Sequence, residues 1–268
     1  MWWFLVGAVL ASDSEFAGTE EPGSTAEEEE VDTDLSLELG GMWTLGNTDI
    51  RTLTVRYDGS QRWEQHKVST KGGSITGSSL VDINTDGRLD ESERAAGRVE
   101  TSHRQEGWLR YDRYLGDRDS FYGLAGGFSD PYAGYESRFN AQVGYSYLLV
   151  DGEGDSGPRV IGELGFDGAR EDTVGSTTDP DIVYSARALL SLELAFEETI
   201  SFGEQVETLV SVQDPEDTRV NSETSLTAKL SDICAVKLSY RINFDTQPVE
   251  GFAKVDQTGL VTVITSIF

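Results

Sequence analysis

Period-two alternation sustained over long runs constrains this chain more than any other feature. In "VYSARALLSLELAF", residues 183–196, Tyr184, Ala186, Ala188, Leu190, Leu192, Leu194 and Phe196 share one face while Ser185, Arg187, Ser191 and Glu193 share the other. Successive side chains of a strand point to opposite faces, so this is strand patterning with no helical stripe. The same alternation runs through "AVKLSYRINF", with Val236, Leu238, Tyr240, Ile242 and Phe244 opposite Lys237, Ser239, Arg241 and Asn243. It recurs in "FNAQVGYSYLL", where Phe139, Ala141, Val143, Tyr145 and Tyr147 oppose Asn140, Gln142 and Ser146.

Extending this reading along the chain predicts twelve strands, at 34–45, 49–62, 66–79, 97–114, 119–129, 135–150, 158–170, 181–196, 200–213, 218–231, 234–246 and 254–268. Most exceed the roughly five or six residues usual for strands of soluble proteins. A tilted strand needs about nine to eleven residues to cross a bilayer, and a transmembrane barrel alternates apolar-out with polar-in. The connecting segments, such as "LGNTD", "LGDRDS", "SDPYAG" and "DGEGDSGP", carry turn residues. The expected fold is therefore all-β: an antiparallel, up-and-down transmembrane β-barrel of about twelve strands over 34–268. The competing architecture is a secreted soluble calcium-binding β-protein whose alternating faces pack on a core.

Two segments precede the barrel. "MWWFLVGAVLA", residues 1–11, is an apolar run followed by small and acidic residues, the outline of a signal peptide, and it is too short to span a bilayer as a helix. Residues 12–33, with "EEPGSTAEEEE", are acidic and nearly free of large apolar groups, which predicts a disordered linker. The last strand, "GLVTVITSIF", closes on Phe268, as many outer-membrane barrels close, although Ser266 stands where a second large apolar group is expected. Together these features point to the bacterial outer membrane, with outer-membrane lipid and the barrel assembly machinery as partners. Oligomeric state is not legible.

Charge excludes other functions. With 48 acidic and 21 basic residues the formal net charge is −27, which disfavours nucleic acid and favours cations. One cysteine, Cys234, allows no internal disulfide, and two histidines, His66 and His103, offer little to zinc. A nucleophile, base and orienting group do not assemble from these histidines, so the chain is not expected to be an enzyme. A calcium-dependent, lipase-like outer-membrane enzyme remains the alternative.

At both ends the residues resemble a known family. "LELGGMWTLGNTDIRTLTVRYD" is similar to the opening of the DUF481 family, a YdiY-like group of salt-induced outer-membrane proteins. "RVNSETSLTAKLSDICAVKLSYRINFDTQPVEGFAKVDQTGLVTVITSIF" is similar to its C-terminal pattern of an Asn-Ser-Glu strand, a short turn, a strand ending near a Pro loop, and a last strand. The resemblance implies an outer-membrane barrel of unestablished biochemical role.

One segment lies outside that pattern. "DINTDGRLDESE", residues 82–93, matches the EF-hand calcium template: Asp82, Asn84 and Asp86 at positions one, three and five, and Gly87 at six where the backbone turns. Arg88 supplies a main-chain carbonyl at seven, Asp90 a carboxylate at nine and Glu93 a bidentate carboxylate at twelve. Oxygen-only donors suit calcium. The segment before the loop is Gly/Ser-rich, "DESERAAGRV" after it has the length for one or two helical turns, and no second EF-hand pairs with it. An isolated loop of this kind is expected to bind weakly, at about 10⁻⁴ to 10⁻³ M. Following the third strand, it is expected to be extracellular.

The inward-facing polar set is expected to include Glu38, Arg56, Glu163, Arg187, Glu193, Lys229, Lys237 and Arg241, which either line a pore or pair and plug it. Trp43, Trp63, Trp108, Tyr145 and Tyr147 are read as interfacial girdles or as sheet packing.

Overall fold

The computed structural model describes residues 32–44, 49–82, 89–152, 157–196 and 199–266, and for Trp43 and Thr44 the backbone alone. The signal-peptide segment, linker residues 12–31 and Phe268 lie outside the described residues.

Twelve strands form one closed antiparallel barrel in which each strand pairs with its neighbours in sequence and β1 meets β12. They are β1 (Asp32–Thr44), β2 (Ile50–Trp63), β3 (His66–Ser79), β4 (Val99–Tyr114), β5 (Asp119–Asp130), β6 (Tyr135–Asp151), β7 (Arg159–Thr173), β8 (Asp181–Phe196), β9 (Ile200–Ser211), β10 (Thr218–Ser231), β11 (Cys234–Asp245) and β12 (Val255–Ser266). β1 begins at Asp32, two residues before the expected start of the first strand. The sole α-helix among the described residues is α1 (Glu91–Ala96), where the sequence allows one or two turns, and a 3₁₀ turn spans Pro131–Ala133. Gly97, at φ +90, ends α1 and lets the chain swing into β4.

The burial pattern is inverted relative to a protein with an oily core. On β7, Leu164 and Phe166 are 68% and 65% exposed, whereas Glu163 and Asp167 are 1% and 2% exposed. Apolar side chains form the outer wall and charged ones the interior, which is stable only where lipid covers the wall. A soluble β-protein would require the reverse arrangement.

The interior is densely charged. Among the described strand residues, eight buried cations (Arg56, Lys67, Lys71, Arg110, Arg138, Arg187, Lys237 and Arg241) face seven buried anions (Glu38, Asp112, Glu163, Asp167, Glu171, Glu207 and Glu223). Near-neutrality inside means that the chain's large negative excess lies elsewhere. A few apolar groups join them, chiefly Trp108, Tyr122 and Leu124, which pack together with Phe128 alongside. Trp108 is thus a lumen residue, 6% exposed, and not part of an interfacial girdle. Its parity on β4 explains this, because it shares a face with Arg110 and Asp112 while Leu109 and Tyr111 point outward. Trp63, Tyr145 and Tyr147 do lie on the outer wall.

An even strand count leaves the start of β1 and the end of β12 at one end of the barrel. The connections after β2, β4, β8 and β10 at that end are short; the loop carrying α1, after β3, lies at the opposite end.

Candidate functional site

Two places carry the chemistry: the loop after β3 and the lumen. In the loop, Asp82, Asp90 and Glu93 are described, whereas Asn84, Asp86 and Arg88 lie outside the described residues. Asp90 is the N-cap of α1. Its Oδ1 accepts from the Glu93 backbone N–H at 2.9 Å and from the Ser92 hydroxyl at 2.7 Å, and the Glu93 Oε2 accepts from the Asp90 N–H at 3.0 Å. This reciprocal capping box satisfies two helix-end donors and starts the helix at this point. The hydrogen bonds from the Glu93 backbone, which contributes most, and from Ser92 hold the Asp90 carboxyl below the usual carboxylate range. Leu89 and Glu93 are buried, and the Arg94 Nε donates to the Leu89 carbonyl at 3.3 Å. The structure therefore brings template positions nine and twelve together. Among the described residues no group of three or more His, Cys, Asp or Glu side chains has metal-binding geometry.

The base of the loop is fastened to the barrel. Arg98 places its Nη1 2.9 Å and its Nη2 3.0 Å from the Asp49 Oδ1, and its Nε donates to the Ser78 hydroxyl at 3.0 Å. The Leu80 N–H donates to the Asp49 carbonyl at 3.0 Å. Asp49, buried just before β2, has its carboxyl held below the ordinary range by that Arg98 hydrogen bond. Simple motif matching missed Arg98 and Asp49, since neither belongs to the template.

The lumen is spanned by a ladder of charges. Arg110 donates to Asp112 at 2.7 and 2.8 Å and to Glu163 at 2.9 Å; Arg187 donates to the other Glu163 oxygen at 2.7 Å and to Glu207 at 2.5 Å. The Tyr122 hydroxyl accepts from Arg187 at 2.7 Å, and its ring lies 4.3 Å below the Arg110 guanidinium. Tyr122 reaches Arg187 from three strands away because the intervening inward positions are glycine: Gly144 is the register partner of both Tyr122 and Gly165, and Gly165 pairs with Arg187. A Cβ on Gly144 or Gly165 would stand 2.5 or 2.7 Å from the Tyr122 oxygen.

A second cluster links Glu38 to Lys237 at 3.3 Å and to Arg56 at 3.7 Å, and Glu223 to Lys237 at 3.6 Å and Arg241 at 3.7 Å. Toward the loop end, Arg104 bridges Glu106 and Asp130, and Arg219 joins Glu171 to Asp245. The inward charges pair with one another, and Glu163, Arg110 and Glu207 are 1%, 1% and 0% exposed.

His66 sits at the start of β3 on the outer wall, its Nδ1 2.7 Å from the Tyr111 hydroxyl and its Nε2 2.6 Å from the Arg113 Nη1. His103 on β4 lies 3.4 Å from Glu100. The two histidines serve separate contacts and share no site.

Comparison with known proteins agrees with this architecture. A family model described as "Protein of unknown function, DUF481" matches residues 37–267. The "Uncharacterized protein YdiY" of Escherichia coli (strain K12) is 27% identical over 245 residues, covering 90% of this chain and 83% of that protein. Among solved structures, the NanC porin superposes with a TM-score of 0.51 at 10% identity, over 87% of this chain and all (100%) of that one. An outer membrane channel from Pseudomonas putida F1 gives 0.48 at 9% identity, over 92% and 99%. The likeness to the porin is one of fold.

Proposed function

The chain belongs to the DUF481 family, and from that premise we propose that it is a non-enzymatic barrel of the bacterial outer membrane. It serves the envelope as a structural element in adaptation to ionic conditions, with its lumen shut and its long loop clasped by calcium outside the cell. Its partners are outer-membrane lipid and, during biogenesis, the barrel assembly machinery. The observation that carries the structural role is the fully buried Arg110–Glu163–Arg187–Glu207 ladder, which fills the space a pore would need. In planar bilayers the purified protein is expected to give no steady conductance. A stable, long-lived open channel would replace this reading with that of a pore.

The calcium assignment rests on the donor set of Asp82, Asn84, Asp86, Arg88, Asp90 and Glu93, and two features support it. The helix after the loop takes position nine, Asp90, as its N-cap, and its N3 residue is the Glu at position twelve, the template's bidentate ligand. Periplasmic termini, both at one end of an even-stranded barrel, would put this loop on the extracellular side. Calorimetric titration of the wild type is expected to show calcium binding at about 10⁻⁴ to 10⁻³ M, and the double substitution Asp82→Ala with Glu93→Ala to abolish the heat. Equal heats from both proteins would remove calcium from the account.

A further inference from the structure

We propose that the outer wall at the turn end of β2, β3 and β4 binds the phosphate of an anionic glycerophospholipid, with Arg113 and Tyr111 as its donors and His66 as the residue that aims them. The inference rests on the barrel's placement in lipid. One register row crosses the wall there: Trp63↔His66, His66↔Arg113, Arg113↔Phe121 and Phe121↔Tyr145. All five residues have outward parity, and Trp63 and His66 flank the turn from β2 to β3. The wall changes character at this row. Gln61 and Asp119 beside it are polar outward positions, and Asp119 accepts from the Tyr145 hydroxyl at 3.0 Å. Further along β2, β4 and β6 the outward positions include the bare aliphatics Leu53, Leu109 and Val143. Polar groups and aromatic rings at one level, with aliphatics beyond it, mark the edge of a hydrocarbon band, where Trp and Tyr concentrate and lipid head groups lie.

The hydrogen bonds fix where the protons are. The Arg113 Nη1 stands 2.6 Å from the His66 Nε2, and a guanidinium has no acceptor, so Nε2 accepts and the imidazole carries its proton on Nδ1. That proton goes to the Tyr111 oxygen, 2.7 Å away. The Tyr111 hydroxyl hydrogen then has no acceptor among the described residues, and neither do the remaining Arg113 N–H groups. No carboxylate of the described residues pairs with Arg113, in contrast to the outward Arg51, which lies 3.6 Å from Asp49. Stacking holds the imidazole in place, with Trp63 on one side at 5.7 Å and 18° and Tyr111 on the other at 5.9 Å and 28°. Two donors without acceptors therefore stand on one patch of the wall.

The donor set selects the ligand. An arginine fork matches the oxygens of a phosphate bidentately, and a phosphate offers further lone pairs to the Tyr111 hydroxyl. Phosphate is the anion that a membrane supplies at its edge. Tyr111 and Phe121, exposed on either side of Arg113, offer apolar surface to the acyl chains. A head group with its own ammonium would leave the Arg113 charge uncompensated, so the fit is to a net anion such as phosphatidylglycerol. The chain's net charge of −27 opposes such lipids in general, but salt screens exposed charges beyond about 8–10 Å and leaves the local contacts to decide.

Native mass spectrometry of the full chain folded in dodecylmaltoside tests this, with dioleoylphosphatidylglycerol as the probe. Arg113→Leu should weaken its binding about tenfold or more, as loss of a charge-assisted hydrogen bond implies, and Tyr111→Phe about fivefold. Tyr111→Phe keeps the ring and its packing, so its loss does not come from misfolding. Arg51→Leu should leave the affinity unchanged. Dioleoylglycerol, with the same tails and no phosphate, should bind the wild type and all three variants alike, and glycerol 3-phosphate, with the phosphate and no tails, should not compete. Unchanged affinity in Arg113→Leu or in Tyr111→Phe would overturn the proposal, as would an equal loss in Arg51→Leu, the mark of general charge attraction. Competition by glycerol 3-phosphate would replace the lipid with a soluble phosphate. Failure of the folded wild type to hold either lipid would instead overturn the membrane placement.

Discussion

At the scale of single residues the interior is governed by the rule that a buried charge must be paired. Glu163 is the clearest case, each carboxylate oxygen accepting from a different guanidinium with no solvent near. Removing one partner of such a set strands the others and typically costs about 3–5 kcal/mol. Glu163→Gln keeps the shape and one acceptor but leaves Arg110 and Arg187 short of charge, so the lower end, about 3 kcal/mol, is expected in urea unfolding from lipid vesicles. Tyr122→Phe removes one hydrogen bond from a guanidinium that keeps both its carboxylates, and should cost about 1.5 kcal/mol. Comparable losses from the two variants would mean that the ladder acts through packing alone. The pairing itself was only half legible. Arg187 and Glu163 read as inward from their parity, but that they meet depends on register across β7 and β8, and no single strand's pattern carries that information.

At the scale of elements, strand extents followed closely from alternation because each strand has lipid on one side and a polar lumen on the other. Predicted β3, β8 and β10 coincide with the observed ones. Alternation places the start of β4 at 97, two residues before the observed Val99, because Gly97 and Arg98 belong to the helix exit and the loop anchor. The length of "DESERAAGRV" allows α1 as one or two helical turns, and the structure adds the Asp90–Glu93 capping box that starts it. What sequence could not show was how the loop attaches, since Asp49 and Arg98 are 49 residues apart.

That attachment has a pH signature. Asp49 and Asp90 both have carboxyls lowered below the ordinary value, so both contribute stability that is complete above the unfolded value of about 3.9 and is lost as pH falls through the lowered folded values. The loop's amides should therefore keep constant protection from neutral pH down to about 4 and lose it at more acid pH, after correction for intrinsic exchange. Arg98→Ala should abolish the Asp49 share of that acid transition and leave the Asp90 share. Loss of protection already near neutral pH would contradict both shifts.

At the scale of the whole molecule, the decisive property is the inversion of inside and outside, and it was legible because apolar and polar faces alternate without a break over strands too long for a small soluble sheet. Between the two places open to Trp108, girdle or packing, its parity on β4 decides for packing inside the barrel, where it meets Tyr122 and Leu124. The outer wall makes the membrane assignment quantitative. Phe166, 65% exposed near the middle of β7, should lie within the hydrocarbon, where an arginine costs about 2–4 kcal/mol, falling to about 0–1 near the interface. Phe166→Arg should therefore lower folding stability in vesicles by about 2–4 kcal/mol. Ile182→Arg, on an outward position one residue inside the loop end of β8, should cost at most about 1 kcal/mol. Depth is the sole variable that separates these two exposed apolar positions in this account. Equal costs would mean that no hydrocarbon layer surrounds the barrel, whereas a graded cost mapped strand by strand would locate the band.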